Sequence, residues 1–223
     1  LKEPYTGPIA LDPVATSATF FFSLARAVSG TAVMEGYSPL KNKKGKEVGG
    51  KELTIYDNGI LKGGWNSRRY DDEGVPRQNT ILIVKGVLKS YIHNTYTARA
   101  MDEESTGNAF RQRGLLDVGI TNLYIKPSNK SVDKLLSSYD SLIYIKNLPM
   151  GVHTTNYITG TINMVSTEAY IVKKGSIEGV LRPVTITGNI YEAMKEIEVA
   201  DDLKETFYYT YSPTIVLGKF TIA

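Results

Sequence analysis

Apolar positions recur at helical spacing early in the chain. Val14, Phe21, Leu24, Ala25 and Val28 fall on one stripe of a 3.6-residue repeat. Asp12 suits the N-cap and Pro13 the first helical position, so a helix is expected over 13–29. Gly30 is the candidate left-handed cap that ends it. Phe20, Phe21 and Phe22 widen the apolar face, which predicts burial on more than one side. After this helix the period changes to two. "ELTIYD" (52–57) alternates as a strand does, and "NTILIVKGVLKSYIHN" reads as two strands turning at Lys85-Gly86. "AYIVKKGSIEGVL" repeats that pattern, turning at Lys174-Gly175. The match is too short to claim an internal repeat.

The second half mixes the two periods. A short helix is predicted over 131–138 with Ser131 as cap, then a strand over 141–146. Asn189 and Glu192 have the spacing of a capping box, and Ile190, Ala193, Met194 and Ile197 form the buried stripe of a third helix. The tail "TFYYTYSPTIVLGKFTIA" holds two or three strands, broken at Ser212-Pro213. Strands and helices do not alternate regularly. The expected fold class is therefore α+β, an antiparallel β-rich domain with a few short helices, rather than a doubly wound sheet.

Composition narrows the function classes. The 223 residues are 42% hydrophobic and 22% charged, an ordinary globular balance that allows one large domain or two small ones. The net charge of +3 arises from bases spread among acids, and the densest basic run, Lys41 to Lys51, is Gly-rich and reads as a solvated loop. No helix-turn-helix signal or basic stripe suggests direct nucleic-acid contact. Cysteine is absent, which excludes disulfides and thiolate metal sites and fits a reducing cytosol. No apolar run approaches a membrane span, and no signal peptide opens the chain. The first residue is Leu rather than Met, so the chain is expected to be a fragment. The fifteen Tyr fall mostly in predicted strands, where half-buried sheet faces account for them as well as a ligand site does.

The chemical candidates are few. In "RRYDDEGVPRQN", Asp71, Asp72, Glu73 and Gly74 precede Pro76. Neighbouring residues in an extended chain point to opposite faces, so three consecutive acids do not converge on one metal. A polar corner, with Asp72 or Glu73 bonding backbone N–H groups, is the plainer reading. His93 and His153 are isolated, so each reads as a strand residue satisfied by hydrogen bonding, and a zinc site built from this chain alone is not expected. "STGNAFR" lacks the ending of a phosphate loop, although "GNAFRQRG" could form an anion-binding turn through its backbone and Arg111.

An ordered series of motifs adds what periodicity cannot. "LKGGWNSRRYDDEGVPRQNTILIVKGVLKSYIHNTYTARAMDEESTGNAFR", Leu61 to Arg111, resembles the C-terminal region of the TldD/PmbA family, once called modulators of DNA gyrase. The similarity continues through "TNLYIKPSNKSVDKLL" to the ending "SPTIVLGKFTIA" and covers nearly the whole chain. The resemblance implies a TldD/PmbA C-terminal-type domain over 1–223, without the family's separate N-terminal α/β domain. It implies a cytoplasmic, two-subunit metalloprotease of unstructured peptides. In that family the TldD-type subunit binds zinc through His-Glu-x-x-x-His and a distant Cys. Aligned on the Gly after the helix, those positions here read Phe21, Phe22 and Arg26, and the Cys is missing. The resemblance is thus to the PmbA-like (TldE) branch, with no catalytic residue, metal or other cofactor in this chain. Asp71, Asp72, Glu73, Gly74, Thr106, Gly107 and Asn108 are then family-signature residues of a peptide-binding region. Two alternatives stay open: a stand-alone homodimeric binding or scaffold protein without proteolysis, and a metal-independent enzyme using Asp72, Glu73, His93 or His153. The implied partners are a zinc-bearing TldD-like subunit or a second copy, and a peptide.

Overall fold

A computed structural model describes residues 3–112, 114–181, 183–206 and 208–223. Strand β1 (Tyr5–Leu11) leads into helices α1 (Pro13–Ala27) and α2 (Gly30–Glu35). Next come β2 (Ile55–Asn58), β3 (Asn79–Val84), β4 (Val87–Leu88), α3 (Thr95–Ala100), β5 (Ala109–Gln112), β6 (Leu115–Val118), β7 (Leu123–Ile125), α4 (Val132–Ser137) and β8 (Leu142–Ile145). A 3₁₀ turn at Val152–Thr154 precedes β9 (Thr161–Ser166), β10 (Ala169–Lys173), β11 (Ser176–Leu181) and β12 (Val184–Asn189). The chain closes with α5 (Ile190–Ala193), β13 (Glu198–Val199), β14 (Lys204–Glu205), β15 (Thr210–Ser212) and β16 (Ile215–Ile222). The class is α+β.

Two sheets enclose the core. The larger runs β11-β10-β8-β1-β16-β12-β9, with β13 also on β16; the smaller runs β14-β15-β7-β2-β3-β4; β5 and β6 form a separate hairpin. Most pairs are antiparallel, but β1 pairs parallel with β8 and β15 with β7. Period two explains how one strand serves two cores. Ile9 and Leu11 of β1 join the main core with Phe20 and Leu24 of α1, while Ala10 faces the other side, where α4 packs Leu135 and Leu136. All four residues of β8 are buried for the same reason, which is why it reads as a continuous apolar run.

Local chemistry sets the element ends. The Asp12 carboxylate accepts from the Ala15 N–H at 2.8 Å and Pro13 opens α1, as expected. Ser131 caps α4. Both Lys-Gly hairpins turn with two consecutive positive φ angles, Lys85 (47°) and Gly86 (79°), and Lys174 (46°) and Gly175 (84°), the type I′ geometry that matches strand twist.

Three expectations are corrected. Gly30 is not a left-handed cap: Val28 ends α1 in right-handed geometry and Gly30 begins α2. Its role is close approach, since a Cβ there would lie 2.5 Å from His93 Nδ1 and 2.9 Å from the Ile92 carbonyl. The third helix is one turn, followed by a 3₁₀ turn; Asn189 caps it, but the Glu192 carboxylate accepts from Lys195 instead of reaching back. Its stripe of Ile190, Ala193, Met194 and Ile197 is nevertheless buried. Neither histidine lies in a strand. His93 is in the buried link before α3, with Nδ1 3.2 Å from Thr97 Oγ1 and Nε2 without a partner among the described residues. Burial pulls its pKa below the ordinary 6.5. His153 lies in the exposed 3₁₀ turn, edge-on to Phe22. The tail reading spans Phe207, which lies outside the described residues, as does Arg113 of "GNAFRQRG".

Candidate functional site

A cavity of about 680 Å³ lies between α1, the segment 66–77 and the β5–β6 hairpin. Helix α1 contributes Phe21, Phe22, Ala25 and Arg26. The opposite wall carries Asn66, Arg68, Asp72 and Arg77, and the hairpin adds Phe110, Arg111 and Val118. Tyr209 also lines it. Two stretches singled out in the sequence, far apart in the chain, thus share one cavity.

The acidic corner is built by its own carboxylates. Asp71 is buried and accepts from three backbone amides: Glu73 and Val75, both at 2.9 Å, and Ala109 at 3.0 Å. Asp72 accepts from the Arg111 N–H at 2.7 Å, which pins the corner to the hairpin. Glu73 accepts from the Thr95 N–H (2.8 Å) and hydroxyl (2.6 Å) at the start of α3. Each of the three adjacent acids therefore holds its own set of partners. Gly74 takes a φ of 82° in the tight turn between them.

The Thr106-Gly107-Asn108 run locks this corner from behind. The Thr106 hydroxyl accepts from the His93 N–H at 2.7 Å. Gly107, at φ 70°, passes so close to the corner that a Cβ would meet the Pro76 carbonyl at 2.5 Å. The Asn108 amide donates to the Gly119 carbonyl at 2.9 Å and to the buried Asp57 carboxylate. Asp57 also accepts from the Thr121 N–H at 2.7 Å. Burial pushes the Asp57 carboxyl up from its usual range, while bonds from Asn108 and Thr121 and the Arg77 charge pull it back. Thr106, Gly107 and Asn108 do not line the cavity; they position the residues that do.

Aromatic rings form the α1 wall. Phe21 stacks on Tyr208 with centroids 4.7 Å apart, and Phe22 meets the same ring edge-on at 5.1 Å. Tyr208 and Tyr209 both adopt positive φ, 59° and 54°, in the turn between β14 and β15. Bulky side chains rarely take that conformation, and here the Tyr208 ring is held against Phe21 and Phe22. Arg26 donates to Asp117 at 3.3 Å, and Asp117 also accepts from the Thr31 hydroxyl at 3.0 Å. This clip joins α1, α2 and β6. Sequence reasoning missed Asp117, Thr31, Arg68 and Arg77; the two arginines flank the DDEG run, and that adjacency was the available signal.

The site does not suit a zinc ion. The α1 face on the cavity offers Phe21, Phe22, Ala25 and Arg26, none of which presents a lone pair to a cation. Among the described residues no three His, Asp or Glu side chains are grouped to hold a metal. Also among them, no helix is long and apolar enough to cross a membrane.

Comparison with known proteins places this geometry in context. Residues 4–223 match the family model described as PmbA/TldA metallopeptidase C-terminal domain. A metalloprotease of Methanocaldococcus jannaschii is 31% identical over 192 residues, 85% of this chain and 42% of the relative. A metalloprotease TldD homolog of Buchnera aphidicola is 34% identical over 185 residues, 82% of this chain and 38% of the relative. The chain spans less than half the length of these curated relatives. A solved Thermotoga maritima structure, named as a candidate modulator of a DNA gyrase, is 29% identical with a TM-score of 0.91, over 99% of this chain and 50% of that one. TldE from Thermococcus kodakarensis, at 24% identity and a TM-score of 0.89 over 99% of this chain and 51% of that one, shares the fold.

Proposed function

We propose, from the premise that this chain belongs to the PmbA/TldD family as a metallopeptidase C-terminal domain, that it serves as the non-catalytic partner subunit of a two-subunit metalloprotease acting on unstructured peptides. One observation carries this reading. The α1 wall of the cavity presents Phe21, Phe22, Ala25 and Arg26, where the family resemblance puts zinc ligands and a general base. A metallopeptidase attacks the peptide bond with an activated water, and zinc supplies one by lowering its pKa. This wall cannot hold that ion, so the chemistry belongs to a zinc-bearing TldD-like partner.

The cavity's own task is then to hold substrate. Its aromatic wall takes apolar side chains, and its polar wall, fixed by the Asp71–Glu73 corner, keeps that shape rigid. An extended peptide suits such a site because its side chains project alternately to two walls.

The test is reconstitution. Purified alone, the chain is expected to carry far less than one zinc per molecule by elemental analysis. Mixed with a zinc-bearing relative, it should co-elute and raise cleavage of an unfolded peptide. Stoichiometric zinc held by this chain alone, or cleavage undiminished when the chain is omitted, would overturn the reading.

A further inference from the structure

Holding a neutral peptide backbone requires no net charge, because strand edges supply its hydrogen bonds. This cavity nonetheless places four guanidinium groups, Arg26, Arg68, Arg77 and Arg111, against one lining carboxylate, Asp72. Two are paired, Arg26 with Asp117 at 3.3 Å and Arg68 with Asp72 at 3.7 Å. Among the described residues, Arg77 and Arg111 have no carboxylate at ion-pair distance.

Arg77 is the more informative of the two. It is only 7% exposed, it donates from Nη1 to the Asn66 carbonyl at 2.6 Å, and its Nε is buried with no partner among the described residues. Asp57, Asp71 and Asp72 attract its charge, but none stands at ion-pair distance from it, and Asp57 and Asp71 accept from other donors. Asp57 accepts from Asn108 and Thr121, and Asp71 from Glu73, Val75 and Ala109. A buried guanidinium donor without a partner carries a desolvation cost, which an anion bonded to that guanidinium would offset. Arginine's planar fork suits a carboxylate, which it can bind with two parallel bonds. Beside these donors stand Phe21, Phe22 and Phe110, so charge recognition and an apolar surface are contiguous.

We propose that the cavity binds a peptide carboxylate, either a free C-terminus or an Asp or Glu side chain, through Arg77 and Arg111, with the phenylalanine wall taking the adjoining apolar side chain. This inference rests on the peptide-holding reading above and adds a charge preference to it.

Fluorescence anisotropy with labelled peptides of otherwise identical sequence tests both, using the full 223-residue chain with and without a zinc-bearing relative. The set varies one internal residue, Glu or Gln, and the C-terminus, free or amidated. A peptide bearing the recognised carboxylate should bind about tenfold tighter than the Gln, amidated peptide, as one charge-assisted bond warrants. Which arm gains tells a C-terminal carboxylate from a side-chain one. Arg111→Gln should bring the ratio of charged-peptide to neutral-peptide affinity down to about one, whatever it does to the neutral peptide's affinity. Arg77→Gln should do the same, with circular dichroism to confirm folding; if it does not fold, Arg111→Gln decides. Equal binding of charged and neutral peptides would overturn the carboxylate inference and leave peptide holding intact. So would a gain that survives Arg111→Gln. Binding of none of the peptides in either setting would overturn both.

Discussion

Asp71 accepts hydrogen bonds from three backbone amides and lies buried beneath the cavity's polar wall. Ionised carboxylates bind N–H donors more strongly than neutral amides do. Asp71→Asn keeps the shape but replaces one oxygen with an NH₂ group that cannot accept. We expect a loss of about 1–3 kcal/mol in urea denaturation, the cost of leaving buried amides poorly matched. A change within a few tenths of a kcal/mol would show that the corner holds without its charge. The turn itself was visible in the sequence, because Asp, Gly and Pro each favour it for a stated conformational reason. The far ends of its bonds were not. Ala109, Arg111 and Thr95 lie tens of residues away, and no local rule pairs them with Asp71, Asp72 and Glu73.

Among the elements, the two Lys-Gly hairpins were legible because type I′ turns demand residues tolerant of positive φ at both central positions. Lysine fills the first position poorly, since its Cβ crowds the backbone in left-handed geometry. Lys174→Asn is therefore expected to stabilise the chain by ~0.5–1 kcal/mol, seen as a raised thermal midpoint. Gly175 has no such latitude, because a Cβ there would meet Ser137 at 2.9 Å. An unchanged or lowered midpoint for Lys174→Asn would mean that the lysine side chain contributes a contact that outweighs the turn strain. Other elements escaped the pattern. Strand β1 contains Gly7 and Pro8, which read as breakers, yet a register shift at Pro8/Ile9 lets the strand continue. Helices α2 and α3 are six residues each, too short to display a period. Asn94 and Thr97 form the reciprocal capping box that was sought at Asn189, where the Glu192 carboxylate accepts from Lys195 instead.

Across the whole molecule, the last strand is structurally central. Strand β16 pairs with β1, β12 and β13, so residues at the two ends of the described chain form adjacent strands in the middle of the larger sheet. Ile215, Val216, Leu217, Phe220 and Ile222 are buried there. At about 1.5–3 kcal/mol per buried side chain, their loss approaches the ~5–15 kcal/mol that stabilises a whole domain. Deleting residues 215–223 should leave the chain unfolded or insoluble, with its cooperative thermal transition lost. Retention of that transition would show that the remaining strands form a sheet without it.

The sequence alone determined what is local or periodic. It set α1 with its Asp12 cap, the type I′ turns, the buried stripe after Asn189, the α+β class, and a motif order specific enough to indicate the family. These follow from short-range sterics, backbone hydrogen bonding and the repeat of apolar positions. Tertiary structure decided what depends on distant chain segments meeting. It put Phe21, Phe22 and Arg26 across one cavity from Asp72 and Arg111, used Asp117 to clip Arg26 to Thr31, and left an Arg77 donor unmatched. Such charge balances depend on distances that no spacing along the chain encodes, because each arginine's partners are chosen by the fold.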